Sequence, residues 1–184
     1  MEKNLSLYFV AIIPPDNIQT ELTHIKLHFK NKFDSQHALN SPPHITLFPP
    51  FWFNSDEESQ LVQTLNKLCS TFDVFWQKLS GFGSFPPKVI YVGVKENNEL
   101  SNIQAQLSLT FKDLLKSKTK QKGAHYFSPH VTVAFRDLTI ENFRKAWKSY
   151  KHKKIRFQFK VEKLGLLKHN GKKWEVIHEG VFKS

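Results

Sequence analysis

The sequence has one cysteine, no long apolar run and no arginine before residue 136, and each shortage narrows the class of protein that it can encode. A single cysteine, Cys69, cannot form an internal disulfide, which favours a reducing compartment. Because Cys69 closes an apolar helical stripe, we expect a small buried side chain there and not a nucleophile. No stretch approaches the roughly 20 apolar residues of a membrane-spanning helix.

The start of the chain also lacks the features of a secretory signal. The apolar run "LSLYFVAII" follows a lysine, but it has no small-residue cleavage site and continues directly into "PPDN". This pattern is typical of a buried strand that meets the start of a helix. We therefore expect a cytoplasmic protein.

Positive charge is concentrated in the second half of the chain. Residues 1–92 contain 7 Lys and no Arg against 8 acidic residues, a net charge of −1. Residues 93–184 contain 20 basic residues against 8 acidic residues, a net charge of +12. Such asymmetry is typical of proteins that bind a polyanion, with nucleic acid considered before a membrane surface. A solubilising surface explains the same charge equally well.

Residues 1–184 are enough for one domain, or for two small lobes that share a core, and apolar spacing predicts short strands that alternate with four helices. The predicted strands are Leu5–Ile13, His44–Phe48, Val74–Leu79, Lys88–Val94, His130–Phe135 and Ile155–Lys168. The predicted helices cover residues 14–29, 54–72, 100–115 and 140–150. The segments "GFGSFPP" and "KSKTKQKG" are predicted loops, and Asn170-Gly171 predicts a β-hairpin. The order of elements indicates duplicated halves, each rich in βαβ units.

Two matched motifs stand out against this background: "PHITL" at 43–47 and "PHVTV" at 129–133. Alternate side chains of a strand share a face, so His44 and Thr46 point one way, as do His130 and Thr132. Their apolar neighbours point into the core. A single motif is easily explained as a buried histidine satisfied by the backbone. Two polar pairs on otherwise apolar strands are hard to explain by burial alone.

If a pseudo-twofold axis relates the halves, the two imidazoles face each other across a cleft, each beside a hydroxyl. One histidine can then take a proton from a nucleophile that attacks phosphorus, while the other gives a proton to the leaving oxygen. The threonine hydroxyls can donate to the phosphate oxygens. Two histidines without nearby carboxylates make a poor metal site, and no phosphate-binding glycine loop is present. We expect no metal and no cofactor.

These residues resemble the 2H phosphoesterase superfamily, whose signature is two H-x-T motifs on a duplicated α/β scaffold. The RNA 2′,3′-cyclic phosphodiesterase branch, historically called 2′-5′ RNA ligase, is most similar. The resemblance covers nearly the whole chain, through "SLYFVAIIPP", "PPHITLF", "KVIYVGV", "FSPHVTVAFRDL" and "GLLKHNGKKWEVI". It implies an α+β fold with two pseudo-twofold lobes, whose antiparallel-rich sheets surround a central cleft.

The resemblance also implies a reaction. Water opens a 2′,3′-cyclic phosphate without ATP, cofactor or metal. On the family pattern, His44 protonates the leaving oxygen and His130 activates water, while Thr46 and Thr132 hold the phosphate. The sequence departs from many relatives after the first motif, where it reads "HITLFPPFW". This departure changes the wall of the cleft, so the resemblance does not fix the exact substrate.

Two further sets of residues are candidates for substrate contacts. Arg136 continues the alternation of the second motif and could bind a phosphate, although a surface pair with Asp137 is an equally good interpretation. Phe48 shares the face of His44, so it could stack on a base, as could Phe51 and Trp52 from the adjacent segment. Burial in the core is the simpler interpretation of each aromatic residue.

Four weaker candidates lie outside the motifs. Phe85 could add a further stacking surface, and Lys88, Lys122 and His125 could bind phosphate. Ordinary burial of Phe85 and ordinary solvation of the three polar residues are the simpler interpretations.

The sequence leaves three functional hypotheses. The first is a metal-independent phosphodiesterase that acts on 2′,3′-cyclic phosphate ends of RNA and can in principle run backwards as a 2′-5′ RNA ligase. The second keeps this chemistry but replaces RNA with a small cyclic phosphate or a 2′-5′ oligonucleotide. The third is a non-catalytic RNA-binding module that uses the basic half of the chain. For all three we expect a monomer with no membrane partner.

Overall fold

The computed structural model describes residues 4–115 and 127–183. The basic tract at 116–122, including Lys122, and His125 lie outside these residues. The described chain forms eight strands and four α-helices, together with short 3-10 turns at His37–Asn40 and Ser55–Glu57. Their order is β1 (Leu5–Ile12), α1 (Asp16–Phe33), β2 (Ile45–Asn54), α2 (Glu58–Cys69), β3 (Phe75–Phe85), β4 (Val89–Val94), α3 (Asn98–Leu115), β5 (His130–Ala134), α4 (Ile140–Tyr150), β6 (Arg156–Val161), β7 (Lys163–His169) and β8 (Trp174–Val181).

The strands form two four-stranded antiparallel sheets. The first sheet has the order β2-β1-β7-β8, and the second has the order β5-β4-β3-β6. This arrangement confirms the predicted α+β fold with two antiparallel lobes. The lobes do not coincide with the two halves of the chain, because the last two strands complete the first sheet.

The helices connect the two sheets. Helix α1 follows a strand of the first sheet but packs against β5 of the second. Helix α3 follows a strand of the second sheet but packs against β2 of the first. Each lobe therefore receives a helix from the other, and one contiguous cluster of buried apolar side chains includes residues of both sheets, such as Val10 and Val131. Burial of this shared apolar surface holds the sheets together.

Three predicted strand boundaries are wrong. The strand predicted at Ile155–Lys168 is two strands, β6 and β7, which belong to different sheets and are separated by Glu162. Most of "GFGSFPP" is not a loop, because β3 continues to Phe85; Gly81 adopts a φ of 67°, which a residue without a Cβ tolerates. Strand β2 continues through two prolines to Asn54, which is possible because it is an edge strand.

Cys69 lies at the end of α2 with no exposed surface, which confirms the predicted buried side chain. Burial raises the pKa of its thiol to about 12, so the nucleophilic thiolate is absent at neutral pH. No helix within residues 4–115 and 127–183 combines the length and apolar character needed to cross a bilayer.

Candidate active site

Both H-x-T motifs occupy the same place in their sheets. His44 directly precedes β2 and Thr46 lies within it, while His130 and Thr132 lie on β5. These two strands are the edges of their sheets, and they contact each other. The motifs therefore meet at the boundary between the lobes. They are close enough for a positive charge on His130 to lower the pKa of His44.

The alternation of side chains within each motif follows the prediction. The four polar side chains are half-buried: His44, Thr46, His130 and Thr132. The residues between and after them are buried in the core: Ile45, Leu47, Val131 and Val133. The apolar face of each strand thus fixes the strand, and the polar face is left for a ligand.

Each imidazole is oriented by a backbone carbonyl two residues earlier. The Nδ1 of His44 lies 2.7 Å from the carbonyl oxygen of Pro42, and the Nδ1 of His130 lies 2.7 Å from that of Ser128. A carbonyl oxygen only accepts, so Nδ1 carries the proton and donates in both rings. In the neutral rings, Nε2 therefore bears the lone pair. Both Nε2 atoms are ready to accept a proton, and each can donate one after protonation.

Burial lowers the pKa of both histidines. Loss of hydration is the largest cause of the fall of the His44 pKa to about 4, and the charges of Lys26 and His130 lower it further. Loss of hydration also lowers the pKa of His130. Both rings are therefore mainly neutral at pH 7 in the free protein. A phosphate bound between them would raise both values, because an adjacent anion favours the protonated ring.

Lys26 is a site residue that the sequence did not reveal. It lies on α1 with only 2% of its surface exposed, and its Nζ donates to the carbonyl oxygens of Ala38 and Ser41, each at 2.9 Å. Burial lowers the pKa of this amine to about 7. On the same helix, Gln19 donates to the carbonyl of Pro43 at 2.6 Å. Helix α1 thus holds the segment that leads into the first motif at three carbonyls.

Aromatic rings pack against both imidazoles. The ring of Phe9 lies 4.8 Å from that of His44, between centroids. Tyr91 and Phe85 lie 5.0 and 5.1 Å from His130. Phe85 was a weak candidate in the sequence, whereas Phe9 and Tyr91 were missed because their proximity depends on strand pairing.

A β-bulge after the first motif overturns the prediction for Phe48. Ala11 pairs with Thr46 and Val10 pairs with Phe48, so Leu47 is an extra residue in β2. A bulge redirects the side chains that follow it. Phe48 consequently faces the core and is only 1% exposed, which makes it unavailable for stacking on a base.

The other two predicted stacking residues have different environments. Phe51 is 4% exposed and packs against Phe111 in the core, so the stacking prediction is also wrong for this residue. Trp52 is 53% exposed and pairs with Leu7 at the far end of β2. Stacking by Trp52 stays a prediction.

Arg136 does not continue the face of the second motif. Strand β5 has an equivalent bulge at Val133 and ends at Ala134. Arg136 then adopts a left-handed conformation with φ 62°, which breaks the alternation. Its exposed guanidinium has Nη1 3.2 Å from Nε2 of His37. Phosphate binding by Arg136 stays a prediction that would have to come from this loop position.

The sequence also suggested a surface pair between Arg136 and Asp137, but the Asp137 carboxylate has other partners. The Asp137 carboxylate accepts hydrogen bonds at 2.8 Å from the Ser35 hydroxyl and from the backbone N–H groups of Gln36 and His37. These bonds connect the end of β5 to the segment before the first motif.

Lys88 is exposed at the turn between β3 and β4. Across residues 4–115 and 127–183, no group of three or more His, Cys, Asp or Glu side chains is placed to hold a metal ion. The chemistry that this arrangement can supply is proton transfer by two imidazoles, with hydroxyl donors beside them.

Comparison with known proteins identifies the family of the chain. The family model of the 2′-5′ RNA ligase superfamily matches residues 14–173. A Geobacillus sp. (strain WCH70) protein named "Putative phosphoesterase" is 28% identical over 162 residues, which cover 87% of this chain and 86% of that protein. A Bacillus licheniformis protein with the same name is 30% identical over 129 residues, or 69% of each chain.

Solved structures show the same fold. The crystal structure of Escherichia coli LigT complexed with 3′-AMP gives a TM-score of 0.71 at 16% identity, over 98% of this chain and 99% of that one. The TT0787 protein of Thermus thermophilus gives a TM-score of 0.66 at 17% identity, over 97% and 98% of the chains. The two-lobed fold and the family match define the chain as a member of a phosphoesterase class. The chain belongs to the 2′-5′ RNA ligase superfamily, within the 2H phosphoesterases.

Proposed function

We propose that the protein is a metal-independent phosphodiesterase that opens 2′,3′-cyclic phosphate ends of RNA. The observation that carries this proposal is the pair of imidazoles on adjoining edge strands, each with Nδ1 donating to the carbonyl two residues earlier. Two equivalent Nε2 atoms suit a reaction that takes a proton at one side of phosphorus and returns one at the other.

In the proposed reaction, His130 Nε2 removes a proton from water as its oxygen bonds to phosphorus. The bond from phosphorus to one ribose oxygen breaks, and His44 Nε2 protonates that oxygen. The products are a phosphomonoester and a free hydroxyl. His130 now carries the proton taken from water, and His44 has given its proton to the hydroxyl, so both return to their starting states by exchange with solvent before the next turnover. Thr46 and Thr132 donate to the non-bridging oxygens, where negative charge accumulates in the transition state.

The assignment of His44 as acid and His130 as base follows the family resemblance. The low pKa of His44 in the free protein adds one requirement to this assignment. His44 has a pKa of about 4 and must be protonated before it can donate. The anionic substrate supplies the required shift by raising that pKa on binding. The reaction is reversible in principle, because each Nε2 can serve as acid in one direction and as base in the other.

Two other functions remain as alternatives. A small cyclic phosphate or a 2′-5′ oligonucleotide could undergo the same chemistry, and a non-catalytic module would bind RNA regardless of its end. The LigT crystal structures include complexes with 3′-AMP and with phosphate, ligands of that protein that contain a phosphate group.

The test is incubation of the purified protein with EDTA and an RNA that ends in a 2′,3′-cyclic phosphate. We expect conversion of the cyclic end to a phosphomonoester, read by the sensitivity of the new end to phosphatase. Activity only after a divalent cation is added would contradict the metal-independent mechanism. Binding without conversion would favour the non-catalytic module.

A further inference from the structure

The face of the second sheet that carries the second motif continues beyond the catalytic pair. Strand pairing places Gly93 of β4 beside His130 of β5. On its other side, Gly93 lies against Ser80 of β3, where the pairing of β3 with β4 is interrupted by a β-bulge. Ser80 in turn pairs with Arg156 on the outer strand, β6. Neighbouring strands lie about 4.8 Å apart, so this row extends roughly 14 Å from the catalytic histidine.

Gly93 keeps the row open. A Cβ at this position would lie 2.8 Å from the backbone oxygen of Ser80, so no larger residue fits without displacing β3. Without a side chain at position 93, the row from His130 to Ser80 is open at this register, with Tyr91 beside it on the same strand. An open groove of about 530 Å³ follows, and its polar lining includes Lys78, Lys95 and Arg156.

The charged strand residues on this face are all cationic. Lys78 pairs with Gln158, and Trp76 pairs with Lys160 one step further along the same strands. Among the described strand residues of this face, none is acidic. Lys160 lies 3.7 Å from Glu162, whereas no carboxylate of the described chain pairs with Lys78, Lys95 or Arg156.

The same face presents an aromatic ring to solvent. Trp76 is 55% exposed, and it lies on the far side of the cations from His130. The corresponding face of the first sheet carries a small apolar cluster, in which Trp174 packs 4.5 Å from Phe9, and a paired Lys163 and Glu179. The two lobes thus present different surfaces to a substrate.

We propose that this face of the second sheet, defined by Trp76, Lys78, Lys95 and Arg156, is a binding track for the single-stranded body of an RNA. The proposal rests on the proposed function, which places the cyclic end of that RNA between the histidines. Unpaired cations neutralise successive backbone phosphates, and the exposed indole stacks on a base at the distal end of the track. The substrate class is therefore an oligonucleotide and not a mononucleotide.

The experiment compares three groups of variants. Lys78→Gln, Lys95→Gln and Arg156→Gln are combined to neutralise the track. Lys30→Gln, Lys67→Gln and Lys148→Gln are combined as a control with the same charge change at helix positions away from it. Trp76→Ala removes the indole, and Trp76→Phe keeps an aromatic ring.

Binding is measured by fluorescence anisotropy with an RNA of roughly ten nucleotides that has a 3′-hydroxyl end, so that no reaction is needed. We expect the track variant to bind at least tenfold more weakly, and its salt slope to be less negative by about 2, since each neutralised phosphate contributes about 0.7. Trp76→Ala should lose roughly tenfold in affinity, and Trp76→Phe should lose less.

Turnover of a mononucleoside 2′,3′-cyclic phosphate should stay within about twofold of wild type in both triple variants, because one phosphate does not reach the track. Equal losses in the two triple variants, or an unchanged salt slope in the track variant, would overturn the proposal. So would retained RNA affinity together with lost binding to vesicles of anionic lipid. If the wild type turns over no cyclic phosphate, the proposed function fails, while the binding measurements still decide the track.

Discussion

At the scale of single residues, the histidines differ from ordinary surface histidines in having one nitrogen committed to the backbone. The bond from Nδ1 to a carbonyl fixes both the tautomer and the ring plane before substrate arrives. Pre-organisation of this kind reduces the reorganisation that the reaction requires. It also means that a replacement side chain must reproduce both the donor and the acceptor of imidazole.

We expect His44→Ala and His130→Ala each to lower turnover by about 10²–10⁴, the usual effect of losing a general acid or base. Thermal unfolding should change little, because both rings lie at the edge of the core. His152→Ala, at an exposed position, is the matched control and should keep full activity. Steady-state kinetics on a cyclic phosphate measure the effect, and full activity in either motif variant would refute the two-histidine mechanism.

The threonines are tested by removing only their hydroxyl groups. Thr46→Val and Thr132→Val keep a β-branched residue on each strand. If each hydroxyl bonds the phosphate more strongly in the transition state than in the ground state, kcat should fall about tenfold or more while KM barely changes. A raised KM at constant kcat would instead make these residues ordinary substrate contacts.

At the scale of elements, helix α1 does more than cover the core. Its residues Lys26 and Gln19 hold three carbonyls of the segment before the first motif, and another carbonyl in that segment, of Pro42, orients His44. A rotation of α1 would therefore move this segment and change the orientation of the His44 imidazole. The charge of Lys26 adds an electrostatic effect to this mechanical one.

Lys26→Met should raise the pKa of His44 above its value of about 4. At such pH Lys26 is protonated, and its positive charge disfavours a second cation nearby. Histidine NMR titration measures this change directly. Lys30→Met, one turn further along α1 at an exposed position, should leave the midpoint unchanged. Equal midpoints in the wild type and Lys26→Met would show that the charge of Lys26 does not reach the ring.

The sign of the accompanying stability change follows from linkage. Because folding lowers the His44 pKa from about 6.5 to about 4, the unfolded chain binds more protons between these values. The free energy of unfolding should therefore fall as pH falls through this window. In Lys26→Met the window is narrower, so urea denaturation should show a smaller loss between pH 7 and pH 4.

The elements also show which features a sequence can predict. The facing of each H-x-T motif depends on residues i and i+2 of one strand, and the structure confirms it. The bulges at Leu47 and Val133 depend on how β2 and β5 pair with their neighbours, which no local pattern contains. Lys26 was missed for a related reason, since it reads as one polar residue in an amphipathic helix until its partners are known.

At the scale of the whole molecule, Asp137 links the two lobes next to the site. Its carboxylate accepts three hydrogen bonds from residues 35–37, which precede the first motif, while its own backbone follows the second. The relative position of the two histidines therefore depends in part on this one side chain.

Asp137→Ala should lower both stability and kcat. Loss of bonds to a charged acceptor is expected to cost about 2–4 kcal/mol in the free energy of unfolding, since each contributes about 1.5–3 and the donors regain water. Asp73→Ala removes an exposed pair with Lys183 at 3.2 Å and should cost under about 1 kcal/mol. Urea denaturation and steady-state kinetics compare the two variants. Equal effects would show that the hydrogen bonds of Asp137 contribute no more to stability or kcat than an exposed ion pair does.

The order of strands in the first sheet has a consequence for biosynthesis. Strands β1 and β2 emerge from the ribosome before every strand of the second sheet, but their own sheet gains its third and fourth strands only when β7 and β8 have been made. A two-stranded hairpin is marginal in water by itself. The strands of the second sheet, by contrast, follow one another along the chain. A nascent chain would therefore assemble the second sheet before the first is complete, and the cleft between the two H-x-T motifs would take its final form only after β7 and β8 have been made.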